Sequence, residues 1–598
     1  MTATSAGTPR PAAVGRKPLP VWLLIVLALT LGLAMSWAGV RSVWLHNTFF
    51  DPDDAMQLVQ VRNLLAGQTW FDLTIGRLDP PHGVFMHWSR ILDMPLALSI
   101  KTFELFMPAD QAERLTRLVF PVALQALLYA GVARLARRLA GADAVLPAIV
   151  LTLLSGLMYA QFQPGRINHS ATQIVLFVFM FGSFVDALDP ARARRAAITG
   201  MLAALSLAIS LENLPWIFVL AALAIAFWIL RGTEMRTAII AFGLGLGVAL
   251  PLAFVATIGQ AHWFDESCDA YSLAYLVPGL AGAAALVSLG LVSPRLGTWP
   301  ARLGAALAAA AGVAAVIALS KPICFLDPYH GIDPLLRELW LQHVKEALPL
   351  TRFFAMRPAA ALSLTLPVVL GVAASVAACI VEKGQARLQW LAVTALGGAG
   401  LIMCFWQIRI FSFVEPIALL GGAWTIAKLN EHFARTRWRE VAAFALLLVL
   451  PFSPIGWALV ATTVPDAPHE KARNACLATS AFAPLAQLPP GLIAAPIDLG
   501  SHILALTPHS VLAAPYHRDN HGNRVALDAF LAPPDAAQNI LRADNVTYVV
   551  NCPGMGELNA LAKRAPESLA ARLVAGTPPA WLTLLPPRGL FQVFVIKP

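Results

Sequence analysis

The sequence predicts a polytopic α-helical membrane protein with a small α/β domain at its C-terminal end, and three observations predict it. Of 598 residues, 58% are hydrophobic and 13% charged, and the mean hydropathy is +0.66. That balance lies outside the range of water-solvated domains and makes lipid the solvent. Apolar runs long enough to cross a bilayer recur along 20–463. Beyond them, strand-like strings such as GLIAAP (491–496) and VTYVVNC (546–552) alternate with helical ones such as PDAAQNILRAD (534–544). This is the pattern of an α/β domain with a largely parallel sheet.

The runs lie at 20–41, 117–133, 143–160, 170–188, 196–211, 213–230, 237–258, 272–292, 303–320, 358–381, 388–405, 409–427 and 440–463, which makes about thirteen spans. Arg10, Arg16 and Lys17 precede the first run and no small-residue cleavage site follows it, so it reads as an uncleaved span behind a cytoplasmic tail, 1–19. With that tail inside, RLARR (Arg134–Arg138), ARARR (Ala191–Arg195), RGTEMR (Arg231–Arg236), the Arg295–Arg302 loop, EKGQAR (Glu382–Arg387) and KLNEHFARTRWRE (Lys428–Glu440) all fall on the cytoplasmic side. The formal charge of +9 is thus spent on topology, and nucleic acid is not an expected partner. Leu92–Met107 fails the same test, because crossing there would export Arg134, Arg137 and Arg138; it reads as an interfacial helix carrying Lys101 and Glu104.

The outward side receives a long first loop (42–116), short loops at 161–170 and at Glu212 and Asn213, the loop 259–271, a large loop (321–357) and the domain 464–598. The membrane domain is then 20–463. Cys379 and Cys404 fall inside spans as packing residues, whereas Cys268, Cys324, Cys476 and Cys552 lie outside. In an oxidising periplasm the last four can form Cys268–Cys324 and Cys476–Cys552 bridges, the alternative being free thiols.

Polar groups gathered on one face of so apolar a chain are functional candidates. FFDPDDAMQLVQVRNLLAG (Phe49–Gly67) sets Asp51 as an N-cap, Pro52 at the first helical position, and Asp53 and Asp54 in the first turn. The same three carboxylates repel one another unless a hard divalent cation joins them. QPGRINHS (163–170), in the short loop 161–170, offers Asn168 and His169 as ligands or a plain turn and cap. In WLQHVKEALP (340–349), His343 and Glu346 share a helical face. Arg409, in FWQIRIFSFVEP with Glu415 deeper, suits a phosphate through its planar fork or pairs with a carboxylate. His509, His517 and His521 in TPHSVLAAPYHRDNHG lack the i, i+4 spacing of a zinc helix and read as fold residues or an acceptor-facing loop.

In order and sidedness these strings resemble the C-type membrane glycosyltransferases (GT-C), within them the oligosaccharyltransferase catalytic subunit. FDPDDAMQLVQVR followed by LDPPHGVFMHWSRILD (Leu78–Asp93) is similar to the family's first-loop DP and HW stretches. GRINHS stands where the family carries DxE, DNE or DHH, with an amide in place of the leading acid. HVKEALP resembles SVSE or TIxE before a proline, and Arg409 with Pro416 resembles the late-span phosphate arginine. The resemblance implies a GT-C-like fold in a bacterial inner membrane. It also implies a metal site of Asp51, Asn168, His169 and Glu346 for Mg²⁺ or Mn²⁺. Catalytic roles fall to Asp51, Asp54 and Glu346, with Asp53 or Asp54 as the second acid. Substrate-binding roles fall to Arg409, His87, Arg90 and Asp498. The donor would be a polyprenyl-linked sugar drawn from the lipid bilayer. The family's WWDYG corresponds to APIDLGSHI (Ala495–Ile503), which keeps Asp498 and Gly500 but no tryptophan. The acceptor therefore stays open among protein, lipid and polysaccharide, and a transporter or flippase of a lipid-linked glycan is the alternative of another class.

Overall fold

The computed structural model describes residues 19–265, 267–433, 451–453, 456–457, 468–586 and 589–597. The expected cytoplasmic tail 1–19, save its last residue, and almost all of the expected span 440–463 lie outside the described residues. Among those described, eight helical stretches are long and apolar enough to cross a membrane, or up to ten if two bent pairs each count as one span. The sequence leads to about thirteen, and the difference has physical sources. The runs at 20–41 and 143–160 are each broken, by 66° between Val21–Met35 and Trp37–His46 and by 70° between Ala142–Leu153 and Gly156–Phe162. Ala196–Ile209 is 14 residues long, short for a span. The stretch Leu211–Thr257 contains two expected runs, interrupted at Gly232 in the left-handed region (φ 61).

Membrane helices lack a hydrophobic drive to associate, so close contact relies on small residues. Ala196–Ile209 lies against Arg236–Thr257 in this way: a Cβ on Gly200 would stand 2.5 Å from the Phe242 carbonyl oxygen, and one on Gly245 would stand 2.2 Å from that of Ala197. At the basic end, Asp186 is buried and meets Arg134, Arg138, Arg192 and Arg195, so RLARR and ARARR share one side as their charge requires.

Helix Arg90–Glu104 is 15 residues long and buries Leu92, Leu96 and Ile100 at i, i+4, i+8, while Met94 and Leu98 on the opposite face are exposed. One face of this helix thus packs into the protein while the other presents apolar side chains outward. Both expected disulfides, Cys268–Cys324 and Cys476–Cys552, are formed, and Cys379 and Cys404 are free and buried.

In the first long loop, 42–116, β1 (Thr74–Ile75) pairs antiparallel with β2 (Val84–Phe85). The C-terminal domain holds β3 (Leu492–Ala494), β4 (Ser510–Val511), β5 (Tyr548–Asn551), β6 (Leu582–Leu584) and β7 (Gln592–Ile596), in the order β4-β3-β5-β7-β6. The sheet is mixed rather than largely parallel: β4, β3 and β5 run parallel, whereas β7 is antiparallel to both β5 and β6. Alternation along the strands builds two cores. Ile493, Tyr548 and Val550 pack toward the first loop and the helix Pro52–Leu65, while Leu492, Ala494 and Val549 pack under Asn520–Leu531 and its neighbours. The first loop also covers the sheet edge, since Asp79 N donates to Val511 O at 2.8 Å and Val511 N to Arg77 O at 2.9 Å. The C-terminal domain is thereby seated on the segment that begins at Asp51.

Candidate active site

The helix Pro52–Leu65 starts as its sequence dictates. Asp51 is extended (φ −142°, ψ 140°) and its Oδ1 accepts from Asp53 N at 2.9 Å, with Pro52 in the first turn. Every residue from Asp54 to Val61 is buried, so the polar ones need partners. Gln57 and Gln60 donate to Asp93, which also takes Arg90 Nη1 at 2.8 Å. Asp54 Oδ1 accepts from Ile167 N at 2.8 Å and Asn168 N at 3.1 Å. The tyrosine of the C-terminal domain, Tyr516, donates its hydroxyl to Pro52 O at 3.1 Å.

The loop before the helix His169–Ala187 supplies a cation. Arg166 Nη1 stands 2.8 Å from Asp51 Oδ2 and 3.5 Å from Asp54 Oδ2. Asn168 then caps the helix His169–Ala187, its Oδ1 accepting from Ser170 N at 3.3 Å. From the first turn of that helix His169 Nε2 meets Glu212 Oε1 at 3.4 Å. The same carboxylate lies 3.3 Å from Arg409 Nη1, and Arg409 Nη2 pairs with Glu346. Glu346 sits on one of two short 3₁₀ turns (Leu341–His343 and Lys345–Ala347) with its side chain 56% exposed. The shared helical face expected for His343 and Glu346 is therefore not formed: the break at Val344 separates the two turns.

Five separate segments thus deliver one run of alternating charge: Asp54 and Asp51, Arg166, Asp53, then His169, Glu212, Arg409 and Glu346. Asp53 feels the fields of both Asp51 and Glu346; burial first, then these two acids, push its carboxyl up to about 8. Burial likewise raises Asp54 to about 6 despite Arg166. For Asp51 burial is outweighed by Arg166 and the Asp53 amide, and its carboxyl lies below the usual range. Asp54 is turned inward, its Oδ1 accepting from Ile167 N and Asn168 N, whereas Asp53 lies in the fields of Glu346 and His169.

Five carboxylates here meet two guanidiniums and one imidazole, and the buried oxygens Asp54 Oδ2 and Glu212 Oε2 lack hydrogen-bond partners. Hard oxygen donors in excess of positive charge fit a divalent cation. Asp51, His169 and Glu346 are strung along this run through Arg166, Glu212 and Arg409 rather than placed in contact, and the oxygen of Asn168 serves as a helix cap. Among the described residues, the one group of three His, Cys, Asp or Glu with ligand atoms within 4.8 Å of one another is elsewhere, at His87, Asp269 and His517.

The other candidates are placed apart. Arg90 is 1% exposed, and its donors go to Asp93, the Gln60 and Asp72 carbonyls and the Gln68 amide; its position is that of a scaffold for the first loop. Asp498 pairs with Arg473 at 2.8 Å. His87 is linked to the site through Trp88, whose ring lies 5.4 Å from His87, 5.8 Å from His169 and 5.4 Å from Tyr516. Arg166, Glu212, Trp88 and Tyr516 are the members that sequence reasoning missed. Glu212 carried a usable signal, as a lone acid in an outward turn between apolar runs; Arg166 carried none beyond its place in QPGRINHS.

No protein-family model and no curated protein sequence matches the chain. Solved structures do. The archaeal oligosaccharyltransferase AglB from Archaeoglobus fulgidus, in complex with an inhibitory peptide and a dolichol-phosphate, aligns over 96% of this chain and 74% of its own, with a TM-score of 0.65 and 16% identity. The Archaeoglobus fulgidus oligosaccharyltransferase tethered to an acceptor peptide containing the NVT sequon aligns over 97% and 74%, at 0.65 and 16%. Its complex with Zn and sulfate aligns over 96% and 73%, at 0.62 and 16%. The fold of this chain is that of the Archaeoglobus fulgidus oligosaccharyltransferase.

Proposed function

We propose that this chain is a multi-pass membrane glycosyltransferase of about thirteen spans, with domains 20–463 and 464–598. It moves a sugar or oligosaccharide from a polyprenyl phosphate or pyrophosphate to an acceptor on the periplasmic face of a bacterial inner membrane. The observation that carries this reading is the convergence of Asp51 and Asp53, Arg166, His169, Glu212, Arg409 and Glu346 beneath the C-terminal domain. Both disulfides lie in segments on the side of that site, which supports an oxidising compartment there. The arginine cluster around Asp186 supports the opposite, cytoplasmic side for its own end.

In the transfer, the anomeric carbon gains a bond to the acceptor heteroatom and loses its bond to the phosphate oxygen. Asp51, kept ionised by Arg166, accepts the hydrogen of the acceptor N–H or O–H and orients its lone pair. Asp53, with Asp51, Glu346 and His169, would hold a divalent cation, and binding it would release the proton that burial and the neighbouring acids favour on Asp53. When bound, that ion neutralises charge developing on the departing phosphate. Arg409 meets the same oxygens with its fork, because its partner Glu346 is exposed and can be displaced while Glu212 keeps the guanidinium in place.

Asp498 is engaged by Arg473, and its stretch lacks both tryptophans of WWDYG, which favours a lipid or polysaccharide acceptor over a protein sequon. A transporter is disfavoured by the position of the charges at the outer helix ends rather than at mid-membrane. The test is transfer of labelled sugar from its polyprenyl carrier in membranes. Asp51→Ala and Glu346→Ala should each abolish it, and undiminished transfer in both would overturn the assignment.

A further inference from the structure

We infer that His87, Asp269 and His517 form a second metal site, selective for a borderline transition ion of the Zn²⁺ type, that ties the first outer loop, the 259–272 loop and the C-terminal domain together. It shares no residue with the Asp51 constellation and does not depend on the transferase reading. Each of the three side chains is half-buried, and each offers a ligand atom within 4.8 Å of the other two. His517 Nε2 is 2.6 Å from Asp269 Oδ2, and the rings of His87 and His517 are 4.9 Å apart. His87 Nδ1 is buried and has no hydrogen-bond partner, an arrangement that costs free energy unless something occupies the gap.

The frame around these groups is fixed. Asp269 follows Cys268, which is bridged to Cys324. His87 precedes Trp88, which is 3% exposed. Arg518 grips Asp269 at both oxygens, 2.6 Å to Oδ2 and 2.8 Å to Oδ1, and also donates to Phe85 O at 3.1 Å. Metal–nitrogen and metal–oxygen bonds of about 2.0–2.2 Å put neighbouring ligand atoms of a tetrahedron about 3.3 Å apart, so closing this group takes side-chain shifts of roughly 1 Å. Two imidazoles and one carboxylate leave a fourth position for water or substrate.

Arg518 also decides which ion binds. One carboxylate offset by one guanidinium gives no net attraction to a hard cation, so Mg²⁺ and Ca²⁺ have no reason to stay. Binding then rests on imidazole coordination, which favours Zn²⁺, Co²⁺ and their neighbours. Arg518 on the second carboxylate oxygen is the outer-shell partner that orients a ligating acid.

The experiment is a Co²⁺ titration of the full-length, metal-stripped protein in detergent, read by visible d–d absorption. Asp51→Asn, the background for the variants below, removes the acid-rich site and should bind one equivalent tightly; Zn²⁺ should displace it and millimolar Mg²⁺ should not. The double variant His87→Ala/His517→Ala should lose about 100-fold or more in affinity. A second variant guards against misfolding: His517→Cys should keep the ion and add a thiolate-to-Co²⁺ charge-transfer band. No Co²⁺ bound by Asp51→Asn, full binding by a folded double variant, or no new band in a Co²⁺-bound His517→Cys protein would each overturn the assignment.

Discussion

Replacing Arg166 by Met removes the guanidinium that lets two acids stand side by side, and the loss can be sized. Arg166 Nη1 is 2.8 Å from Asp51 and 3.5 Å from Asp54, whose side chain is 0% exposed. At an effective dielectric of about 20, the Asp54 contact alone carries about 5 kcal/mol of Coulomb energy. Removing one member of a buried pair costs about 3–5 kcal/mol, because the remaining charge stays desolvated. With an unfolding entropy of about 2.1 cal/mol/K per residue over 598 residues, each kcal/mol moves Tm by roughly 1 °C, so Arg166→Met should lower it by about 3–5 °C. Adding Asp54→Asn removes the stranded charge, while the amide oxygen can still accept from Ile167 N and Asn168 N. The double variant should recover at least half of the loss, an interaction that a double-mutant cycle isolates. The assay is thermal unfolding of the detergent-purified protein followed by intrinsic fluorescence. A single variant that melts with wild type, or a double variant less stable than the single, would refute the role given to Arg166.

Three further outcomes follow from particular groups. Burial pushes Asp93 up to about 6 from 3.8, so the native state holds a proton the unfolded chain releases. Stability should therefore fall by about 3 kcal/mol between pH 4 and 6 and level off above, and Asp93→Asn should flatten this slope in Tm measured across that range. The Cys476–Cys552 bridge spans 76 residues; replacing both by Ala should cost up to about 4 kcal/mol, with the same drop in Tm when wild type is reduced. Arg409→Lys keeps the charge and loses the fork, and should lower kcat for sugar transfer by about 100-fold with little change in KM.

The sequence makes legible what is local or periodic. The cap at Asp51 is written in Asp-Pro-Asp-Asp, the inward face of Arg90–Glu104 in the recurrence of Leu92, Leu96 and Ile100, and the sidedness of the loops in their arginines. Long-range partners leave no such mark. Asp54 meets Ile167 and Asn168 across more than a hundred residues, and nothing in QPGRINHS says that its arginine faces two acids. Strand direction is equally silent: β5 and β7 are both short apolar strands, yet β7 is antiparallel. Glu346 was identifiable as an outer-loop acid, but its place beside Arg409 depends on 3₁₀ turns that helical spacing misrepresents. His517 shows no zinc-helix spacing because its neighbours at the cluster come from two other segments.

The most direct measurement uses the purified chain in liposomes loaded with a labelled polyprenyl-linked sugar, with mass spectrometry of the carrier. Sugar transfer predicts release of unglycosylated polyprenyl phosphate or pyrophosphate by wild type and none by Asp51→Ala. Movement of the intact glycolipid between leaflets, with no carrier released, would contradict the central claim and identify a transporter on a transferase fold.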